Sequence, residues 1–564
     1  MTATAKQSSS PQAPWARRLA SAGWTPWLAA LLLVGLNVGK PLVIDDTAYH
    51  AYARQIAEHP GDPYGFEVYW GNAPQPARDV LAPPLLPYWW AGALVLFGDH
   101  VAAWKLTLLP FALALAAAAW SLGRRFAPGC EVPLTWLVTL SPAVAPSLNL
   151  MLDVPALALS LAALAVFAHA AQRDHSALAL AAGLLAGLAL ETKYSAVVGV
   201  AALAVYGLVF DRVRLAALAL VAAGAVFIGW ESFVSARYGE SHFLHHLFDT
   251  GDATAEASAA VWAVGGLALL GAVASGPAML AALAGGRRWL AGGLGIATLV
   301  VFAALLVVPA EPEARFTLVP DLTNSPPELW MLAGLGVCVV VCTAPAWWRE
   351  LRVGGSRGRF LAIWVALEVV GFLFLSPFLA LRRMIGIVTA LALLALAALA
   401  ARQPQACRRQ AAWVAVFGVA LGVVFAAADV FDARARRTGF DDALRQLAAR
   451  GAPLSEGRVW YVGHWGFQFL AERAGMRPLV AGESHVSAGD WLVTPSAVLA
   501  QRAQLPERVR STQASVEARS RWPWSTLPNA YGGAVAIRRQ PARQMQIVLQ
   551  RIEGDAVAEV PAAR

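Results

Sequence analysis

The sequence predicts an α-helical polytopic membrane protein with a small C-terminal α/β domain, and three observations support this fold class. Of the 564 residues, 58% are hydrophobic and only 14% are charged, whereas about 25% of residues in soluble domains are charged. The mean hydropathy is +0.54. Long apolar runs recur up to about residue 428, after which the composition becomes mixed.

The apolar runs predict the membrane spans. About 20 helical residues cross a hydrocarbon core ~30 Å thick, and the run from Trp24 to Ile44 is long enough. We predict about thirteen spans, which begin near Trp24, Val101, Pro133, Val154, Ala177, Ser195, Leu215, Val261, Leu290, Leu329, Phe360, Ile385 and Ala411. The chain then divides into a cytoplasmic tail (1–23), a transmembrane domain (24–428) with a large first external loop (45–95), and an external α/β domain (429–564).

The arginines predict the orientation, because they cluster in every second loop: Arg17-Arg18, Arg124-Arg125, Arg173, Arg212 with Arg214, Arg287-Arg288, Arg349 to Arg359 and Arg402 to Arg409. This positive-inside pattern places the N-terminus in the cytoplasm and, with an odd number of spans, the C-terminal domain outside. The net charge of +8 therefore reflects topology, and we expect no nucleic-acid partner. Arginine-for-lysine preference and abundant alanine are typical of a high-GC bacterium, which predicts a bacterial inner membrane.

The C-terminal residues alternate between helical and strand patterns. Asp441 to Leu447 has amphipathic helical spacing, Arg458 to His464 resembles a strand that ends in a glycine turn, and Trp491 to Thr494 resembles a second strand. This alternation favours a small α/β domain.

An acidic pair, Asp45-Asp46, directly follows the first apolar run, and Thr47 to Glu58 has helical spacing. One acid at this position can be merely a helix N-cap. Two adjacent carboxylates exceed what a cap needs, and a carboxylate beside lipid would have a raised pKa suited to accepting a proton. The pair is therefore a candidate catalytic site.

Asp153 and Lys193 are ionisable residues at the predicted external ends of spans. An ionisable residue among apolar neighbours at this depth is a functional candidate, although Asp153 could instead cap the helix that contains Pro155. Lys193 is one of only four lysines. It could meet an anionic headgroup or pair with Glu191.

Arg382-Arg383 contradicts the positive-inside pattern, because the topology places both residues outside. Either the span count is wrong there, or two guanidiniums are held outside to bind an anion, for which arginine is the best bidentate donor.

A possible site for zinc or another divalent metal lies in one predicted external loop, where His242, His245, His246 and Asp249 recur at helical spacings. Two phenylalanines in the same loop favour the alternative of an amphipathic surface.

Several motifs in a fixed order resemble a known family. They are the external acid pair followed by a tyrosine, a long loop that ends in Ala82 to Trp90, Leu-Asp-x-Pro at Leu152 to Pro155, Thr192-Lys193, and the tail stretch Val459 to Gln468. Together they are similar to the GT-C polytopic glycosyltransferases of the dolichyl-phosphate-mannose-protein mannosyltransferase superfamily, which includes bacterial aminoarabinose transferases. The resemblance extends mainly over residues 43–194.

The resemblance implies that a sugar moves from a polyprenyl-phosphate donor to a lipid, glycan or protein acceptor at the external membrane face, with inversion. The catalytic residues would be Asp45 as general base, Asp46 and Asp153. The leaving phosphate would be neutralised by Lys193, Arg382 and Arg383, and the substrate loop would include Tyr49, His50, Pro84 and Tyr88. Some members use a metal, for which His242 and His246 are candidates; no cofactor is certain.

Two other classes of function remain open. A catalytically inactive membrane scaffold of the same fold would tolerate loss of Asp45 and Asp153, whereas the enzyme would not. A secondary transporter fits less well, because the sequence shows no matched halves with paired broken helices.

Overall fold

The computed structural model describes residues 23–80, 83–248, 258–314, 322–496, 501 and 503–560, and α-helices dominate it. Residues 1–22 of the predicted cytoplasmic tail, and Asp249 of the histidine motif, therefore lie outside the described residues. The helices are Thr25–Asn37, Asp46–Glu58, Ala77–Val80, Leu85–Phe97, Val101–Leu106, Leu109–Phe126, Glu131–Thr139, Asp153–Arg173, Ser176–Leu190, Val197–Val209, Val213–Tyr238, His242–Phe248, Ala259–Val273, Ser275–Ala284, Arg288–Leu305, Pro327–Val353, Gly355–Leu375, Ile385–Arg402, Pro404–Ala449 and Trp465–Arg473.

The helical polytopic fold class is confirmed, but the helices vary in length. Within the described ranges, eight helices are long and apolar enough to cross a membrane, or nine if the pair Ala259–Val273 and Ser275–Ala284, bent by 78°, forms one span. Four further apolar helices are shorter. The first predicted span is one of these, since only Thr25–Asn37 is helical. The span predicted near Pro133 contains the nine-residue helix Glu131–Thr139, so apolar composition overestimated helix length at both places.

The C-terminal region contains the predicted mixture of helix and sheet. Its main sheet has five strands in the order Arg477–Pro478, Val459–Tyr461, Trp491–Pro495, Met545–Ile552 and Arg510–Ala518. The first three strands are parallel, and the other pairings are antiparallel. Four smaller strands of the described C-terminal region are His485–Val486, Trp524–Ser525, Arg538–Arg539 and Ala556–Val557. Two more, Glu67–Tyr69 and Pro74–Pro76, lie in the first predicted external loop.

The last apolar run continues into the C-terminal region without a break. The predicted amphipathic segment forms the end of the 46-residue helix Pro404–Ala449. Beyond it, a C-terminal loop packs against the segment that precedes Arg382: Leu381 N donates to Ala530 O at 3.0 Å, and Gly533 N donates to Leu379 O at 2.6 Å. The C-terminal region therefore helps to hold Arg382 in place.

Candidate functional site

The two adjacent acids point into different surroundings. Asp45 occupies the N-cap position of the helix Asp46–Glu58, but its side chain makes no capping hydrogen bond. Instead, Asp45 Oδ2 lies 2.8 Å from Arg382 Nη2, and the Asp45 side chain keeps 23% of its surface exposed. An N-cap role therefore does not describe Asp45, which remains accessible.

Asp46 is completely buried. Its Oδ2 accepts a hydrogen bond from Val43 N at 3.0 Å. Burial raises the pKa of Asp46 to about 6, while the nearby charges of Lys105 and Lys40 oppose this rise. A raised pKa was expected for one acid of the pair Asp45-Asp46, and it is found for Asp46, the acid that solvent does not reach. The structure does not bring Asp46 together with the other predicted catalytic residues.

Asp45, Asp153, Lys193, Arg382 and Arg383 form what we call the pocket cluster. Arg382 connects the two acids, because its Nη1 also lies 3.4 Å from Asp153 Oδ2. Lys193 forms an ion pair with the other oxygen of Asp153, rather than with Glu191. Arg383 stacks over the ring of Phe378, 4.4 Å from its centroid. Five residues predicted from separate parts of the sequence therefore lie close together.

Four helices begin at the pocket cluster. Asp45 directly precedes Asp46–Glu58, Asp153 opens Asp153–Arg173, Lys193 precedes the short 3₁₀ turn that leads into Val197–Val209, and Arg382-Arg383 precedes Ile385–Arg402. The N-terminus of a helix carries a partial positive charge and free N–H groups, both of which favour an anion. The backbone therefore adds to the positive potential of the side chains.

A pocket of about 780 Å³ extends from Asp153, Lys193, Arg382 and Arg383 between four helices. We call it the membrane pocket. Its walls come from Asp153–Arg173, Val197–Val209, Gly355–Leu375 and Ile385–Arg402, and the apolar side chains along them include Leu157, Leu161, Leu164, Ala202 and Phe372. A ligand with a charged head and a long apolar tail fits this distribution of charge.

The pocket cluster has more positive than negative side chains. Its two carboxylates face three cationic groups, and a further acid, Glu368, lines the same pocket. The Nε atoms of Arg382 and Arg383 are buried and have no hydrogen-bond partner among the described residues. Burial also lowers the pKa of Lys193 to about 8, although the charge of Asp153 opposes this change, so the ammonium is mostly charged at neutral pH. The cluster can therefore accept one more anionic group.

A second group of polar side chains, the sealed cluster, comprises Lys40, Asp46, Lys105, Asn149, Asp429 and Tyr531. Lys40 forms an ion pair with Asp429, and neither side chain is exposed. Tyr531 OH donates to Asp429 at 2.8 Å, Asn149 Nδ2 donates to Tyr531 OH at 2.9 Å, and Lys105 Nζ donates to Lys40 O at 2.6 Å. None of the six residues lines the membrane pocket.

The predicted substrate-loop residues lie on two sides of the helix Asp46–Glu58. The Tyr49 ring packs 5.9 Å from that of Trp90, and burial together with the charge of Asp45 raises the Tyr49 pKa above its usual value. His50 Nε2 lies 2.8 Å from Asp99 Oδ1, away from Asp45.

Pro84 and Tyr88 belong to the helix Leu85–Phe97 and its N-cap. Leu85 N donates to Glu191 O at 3.1 Å, so Pro84 lies beside the segment that carries Lys193. Tyr88 OH donates to Pro60 O at 2.6 Å. The loop is thus close to the pocket cluster, while the Tyr88 hydroxyl is engaged elsewhere.

The histidine motif lies in the short helix His242–Phe248. His242 Nε2 and His246 Nε2 are 3.0 Å apart, Tyr194 OH lies 2.6 Å from His242 Nδ1, and His245 contacts Asp79 at 3.1 Å. The described part of the chain contains no group of three or more His, Cys, Asp or Glu side chains arranged to hold a metal. The two candidate ligands therefore do not form a metal site by themselves, and we derive no chemistry from a metal.

Glu368 and the members of the sealed cluster other than Asp46 were not predicted from the sequence. Glu368 lines the membrane pocket and accepts a hydrogen bond from Trp364 Nε1 at 2.9 Å. The signal was present, because an isolated acid in the middle of an apolar span is a functional candidate. Lys40 and Lys105 are two of the four lysines, so their rarity could have drawn attention to them as well.

Comparison with known proteins finds similarity in structure. No family model and no curated protein matches the sequence. An oligosaccharyltransferase from Archaeoglobus fulgidus, in complex with Zn and sulfate, is 11% identical, with a TM-score of 0.47 over 83% of this chain and 67% of that chain. The oligosaccharyltransferase AglB from the same organism, in complex with an inhibitory peptide and a dolichol-phosphate, is 12% identical, with a TM-score of 0.48 over 86% and 70%.

A third similar structure is ArnT from Cupriavidus metallidurans bound to undecaprenyl phosphate, which is 15% identical, with a TM-score of 0.39 over 95% of this chain and 98% of that chain. These proteins are of the class that the sequence resemblance names, the polytopic glycosyltransferases. Because these three TM-scores are below 0.5, the similarities carry no argument about the site, which is defined by the contacts of this chain's own side chains.

Proposed function

We propose that the protein transfers a sugar from a polyprenyl-phosphate-linked donor to an acceptor hydroxyl at the external face of a bacterial inner membrane, with inversion. The observation that carries this proposal is the pocket cluster: an accessible carboxylate beside an excess of cationic side chains, at one end of a pocket with apolar walls. The proposed orientation has residues 1–23 in the cytoplasm, residues 24–428 as the transmembrane domain, and residues 429–564 outside.

The cationic side chains would bind the donor phosphate. Arg382, Arg383 and Lys193 offer charged donors to its oxygens, and the helix N-termini around them favour the same charge. The prenyl chain would then lie along the leucines of the helix Asp153–Arg173 that line the membrane pocket. Burial of an apolar chain gains roughly 0.8 kcal/mol per CH₂ group, so the pocket would select a lipid-linked donor.

Asp45 would act as the general base. It takes the proton of the acceptor hydroxyl, and the oxygen attacks the anomeric carbon from the face opposite the phosphate. The bond between that carbon and the phosphate oxygen breaks, and its electron pair leaves on the phosphate. The arginines and Lys193 stabilise the negative charge that develops there. A single displacement of this kind inverts the anomeric centre.

Arg382 would link donor binding to the base. In the structure it contacts both Asp45 and Asp153. A donor phosphate competes for the same guanidinium, which loosens its hold on Asp45, while Asp153 and Lys193 keep their own ion pair. Asp153 would thus position the cationic groups rather than exchange protons.

The test is sugar transfer in membranes that contain the full-length protein and a panel of radiolabelled polyprenyl-phosphate sugars. We expect Asp45→Asn to lower transfer by at least about 100-fold, since a general base contributes roughly 10²–10⁴-fold. The matched control is Glu58→Gln, an exposed acid at the other end of the same helix, which should retain full activity.

Equal transfer by wild type and Asp45→Asn, at matched amounts of folded protein, would show that Asp45 is not the base. A wild-type protein that transfers none of the sugars would contradict the transferase proposal itself and favour a scaffold.

A further inference from the structure

A second pocket lies outside the membrane helices, between the helix Asp46–Glu58 and the C-terminal region. The space between its lining residues is about 680 Å³, which includes space open to solvent. We call it the external pocket. The residues that line it include Thr47, His50, Arg54, Trp70, Phe469 and Arg473. None of the pocket cluster residues lines it.

One wall of the external pocket is an ordered ionic network. Asp99 accepts from His50 at 2.8 Å and from Arg473 Nη1 at 3.0 Å. The His50 ring stacks on Trp104, with centroids 4.8 Å apart, and meets Phe469 edge-on at 5.0 Å. This wall joins the first external loop to the helix Trp465–Arg473, so its side chains are held in position before a ligand arrives.

The pocket is polar but nearly balanced in charge. Burial lowers the pKa of His50 below its usual value, so the imidazole is neutral at pH 7. Two arginines, Arg54 and Arg473, then face two carboxylates, Asp99 and Glu472. A balanced pocket does not favour an anion such as a phosphate, which distinguishes it from the pocket cluster.

The lining of the external pocket combines aromatic rings with hydrogen-bonding groups. Trp70 provides a ring surface, whereas the Phe469 ring is covered by Arg473, whose Cζ lies 5.2 Å from its centroid. Donors and acceptors come from Arg54, Gln468 and Glu472. A pyranose ring has an apolar C–H face that packs on an aromatic ring and a rim of hydroxyls that needs both donors and acceptors. An uncharged sugar matches this lining.

The position of the pocket suggests which sugar it holds. Thr47, His50 and Arg54 share one face of the helix, and they cover about 10 Å along its axis. Thr47 lies within one turn of Asp45. This face lies on a different side of the helix from Asp45, which stands at the N-terminal end. A sugar in the pocket and an acceptor hydroxyl at Asp45 would therefore belong to one molecule that extends around this end of the helix.

We infer that the external pocket binds a saccharide unit of the acceptor, so that the acceptor is a glycan or glycolipid rather than a bare protein hydroxyl. The assignment of the bound sugar to the acceptor rests on the proposed function, whereas the binding of a sugar in this pocket does not. The C-terminal region, through Phe469 and Arg473, would then determine acceptor specificity.

Two measurements on the full-length protein in detergent-free lipid nanodiscs test the inference. The first is binding to an array of immobilised oligosaccharides, which needs no donor and no catalysis. The second is the acceptor KM in the transfer assay, with the donor KM measured in parallel. The variants are Arg54→Ala and Trp70→Ala, and the control is Arg551→Ala, an exposed arginine on the strand Met545–Ile552.

We expect wild type and Arg551→Ala to bind the same oligosaccharides, and Arg54→Ala and Trp70→Ala to lose at least tenfold in that binding. The acceptor KM should rise by the same factor, with the donor KM unchanged. Array binding that depends on Arg54 and Trp70 would support the sugar site even if no transfer occurs, which separates it from the proposed function. Absence of oligosaccharide binding by wild type, or equal binding by all variants, would overturn it.

A lipid-anchored and a free glycan would give different results in the transfer assay. If the acceptor KM depends on the pocket only for glycolipids presented in the nanodisc, the sugar is part of a membrane-bound acceptor. If soluble oligosaccharides show the same dependence, the acceptor does not need to be anchored in the membrane. Unchanged acceptor KM values for both kinds of acceptor would contradict the inference.

Discussion

The pocket cluster and the sealed cluster are both buried groups of charged side chains, yet they differ in two physical respects. The sealed cluster is balanced, with Lys40 and Lys105 against Asp46 and Asp429, and its charged side chains are almost completely inaccessible. The pocket cluster has three cations against two carboxylates, and it borders an open pocket. Burial of charge is therefore common to the proposed site and to the sealed cluster, and it does not by itself distinguish them.

The difference shows which features distinguish the proposed site from the sealed cluster. The sealed cluster is balanced and closed, and the exception among its charged side chains is Asp46 Oδ1, which has no hydrogen-bond partner among the described residues. We expect this cluster to contribute to stability or to the position of neighbouring segments. An unbalanced group of cations beside a cavity can bind a further anion. The adjacent residues Asp45 and Asp46 belong to different clusters, so their roles should separate experimentally.

The largest effect that we expect concerns the sealed cluster. Lys40→Met leaves Asp429 buried without its ion-pair partner, and such a change destabilises a protein by about 3–5 kcal/mol. We expect a large loss of folded protein and a lower thermal unfolding midpoint in nanodiscs. Asp45→Asn in the pocket cluster should change the midpoint little, because Asp45 is partly exposed and Arg382 keeps Asp153.

The double variant Lys40→Met with Asp429→Leu provides the control. Replacement of both charges by apolar side chains of similar size removes the unpaired charge, so most of the lost stability should return. A midpoint for Lys40→Met equal to that of wild type would show that the sealed cluster is not a stabilising element. An equal loss in Asp45→Asn would remove the distinction between the clusters.

The residue types and the apolar pattern were sufficient to predict the fold class, and they drew attention to every member of the pocket cluster together with Asp46, which lies elsewhere. Ionisable residues are costly near lipid, so Asp45, Asp153, Lys193 and the Arg382-Arg383 pair were conspicuous at the ends of apolar runs. The strands at Val459–Tyr461 and Trp491–Pro495 were predicted as well, since short alternating segments between turns are typical of strands.

Side-chain direction and helix length could not be predicted in the same way. Two neighbours on a helix end differ in direction by about 100°, so the pattern could not tell that Asp45 meets Arg382 while Asp46 is sealed. The Lys40–Asp429 pair joins residues 389 positions apart, and no local pattern encodes such a contact. The external pocket likewise depends on how the C-terminal region packs over the first loop.

Arg382→Lys is the next test, because it keeps the charge of the pocket cluster but removes the planar guanidinium. Arg382 contacts Asp45 and Asp153 through separate nitrogens, and a single ammonium cannot reproduce this geometry. We expect binding of undecaprenyl phosphate to weaken by roughly 10- to 100-fold, equivalent to about 1.4–2.8 kcal/mol. Fluorescent-lipid competition in nanodiscs would measure it.

Arg402→Lys is a matched control at the other end of the same helix, where Arg402 pairs with Glu350 at 3.0 Å. That variant should bind undecaprenyl phosphate as wild type does. Weakened binding in both variants would indicate a general loss of helix packing, and unchanged binding in Arg382→Lys would remove this residue from the phosphate site.

The smallest effect is a pH dependence that Lys193 gives to the pocket cluster. Its pKa is lowered to about 8, so the ammonium is present below pH 8 and is lost as the pH rises through that value. The second ionisation of a phosphate monoester has a pKa near 6, so the ligand charge changes little between pH 7 and 9. We expect wild-type affinity for undecaprenyl phosphate to fall by up to about tenfold over this range, whereas Lys193→Arg should remain nearly constant.

Glu191 has to be separated from Lys193, because burial raises its pKa to about 8. Its ionisation would add negative charge near the site as the pH rises, and so would weaken anion binding in the same direction. Glu191→Gln distinguishes the two groups in the same binding measurement. If the pH dependence disappears in Lys193→Arg and persists in Glu191→Gln, the ammonium of Lys193 binds the phosphate. The reverse pattern would assign the titration to Glu191 and leave Lys193 as a partner of Asp153 alone.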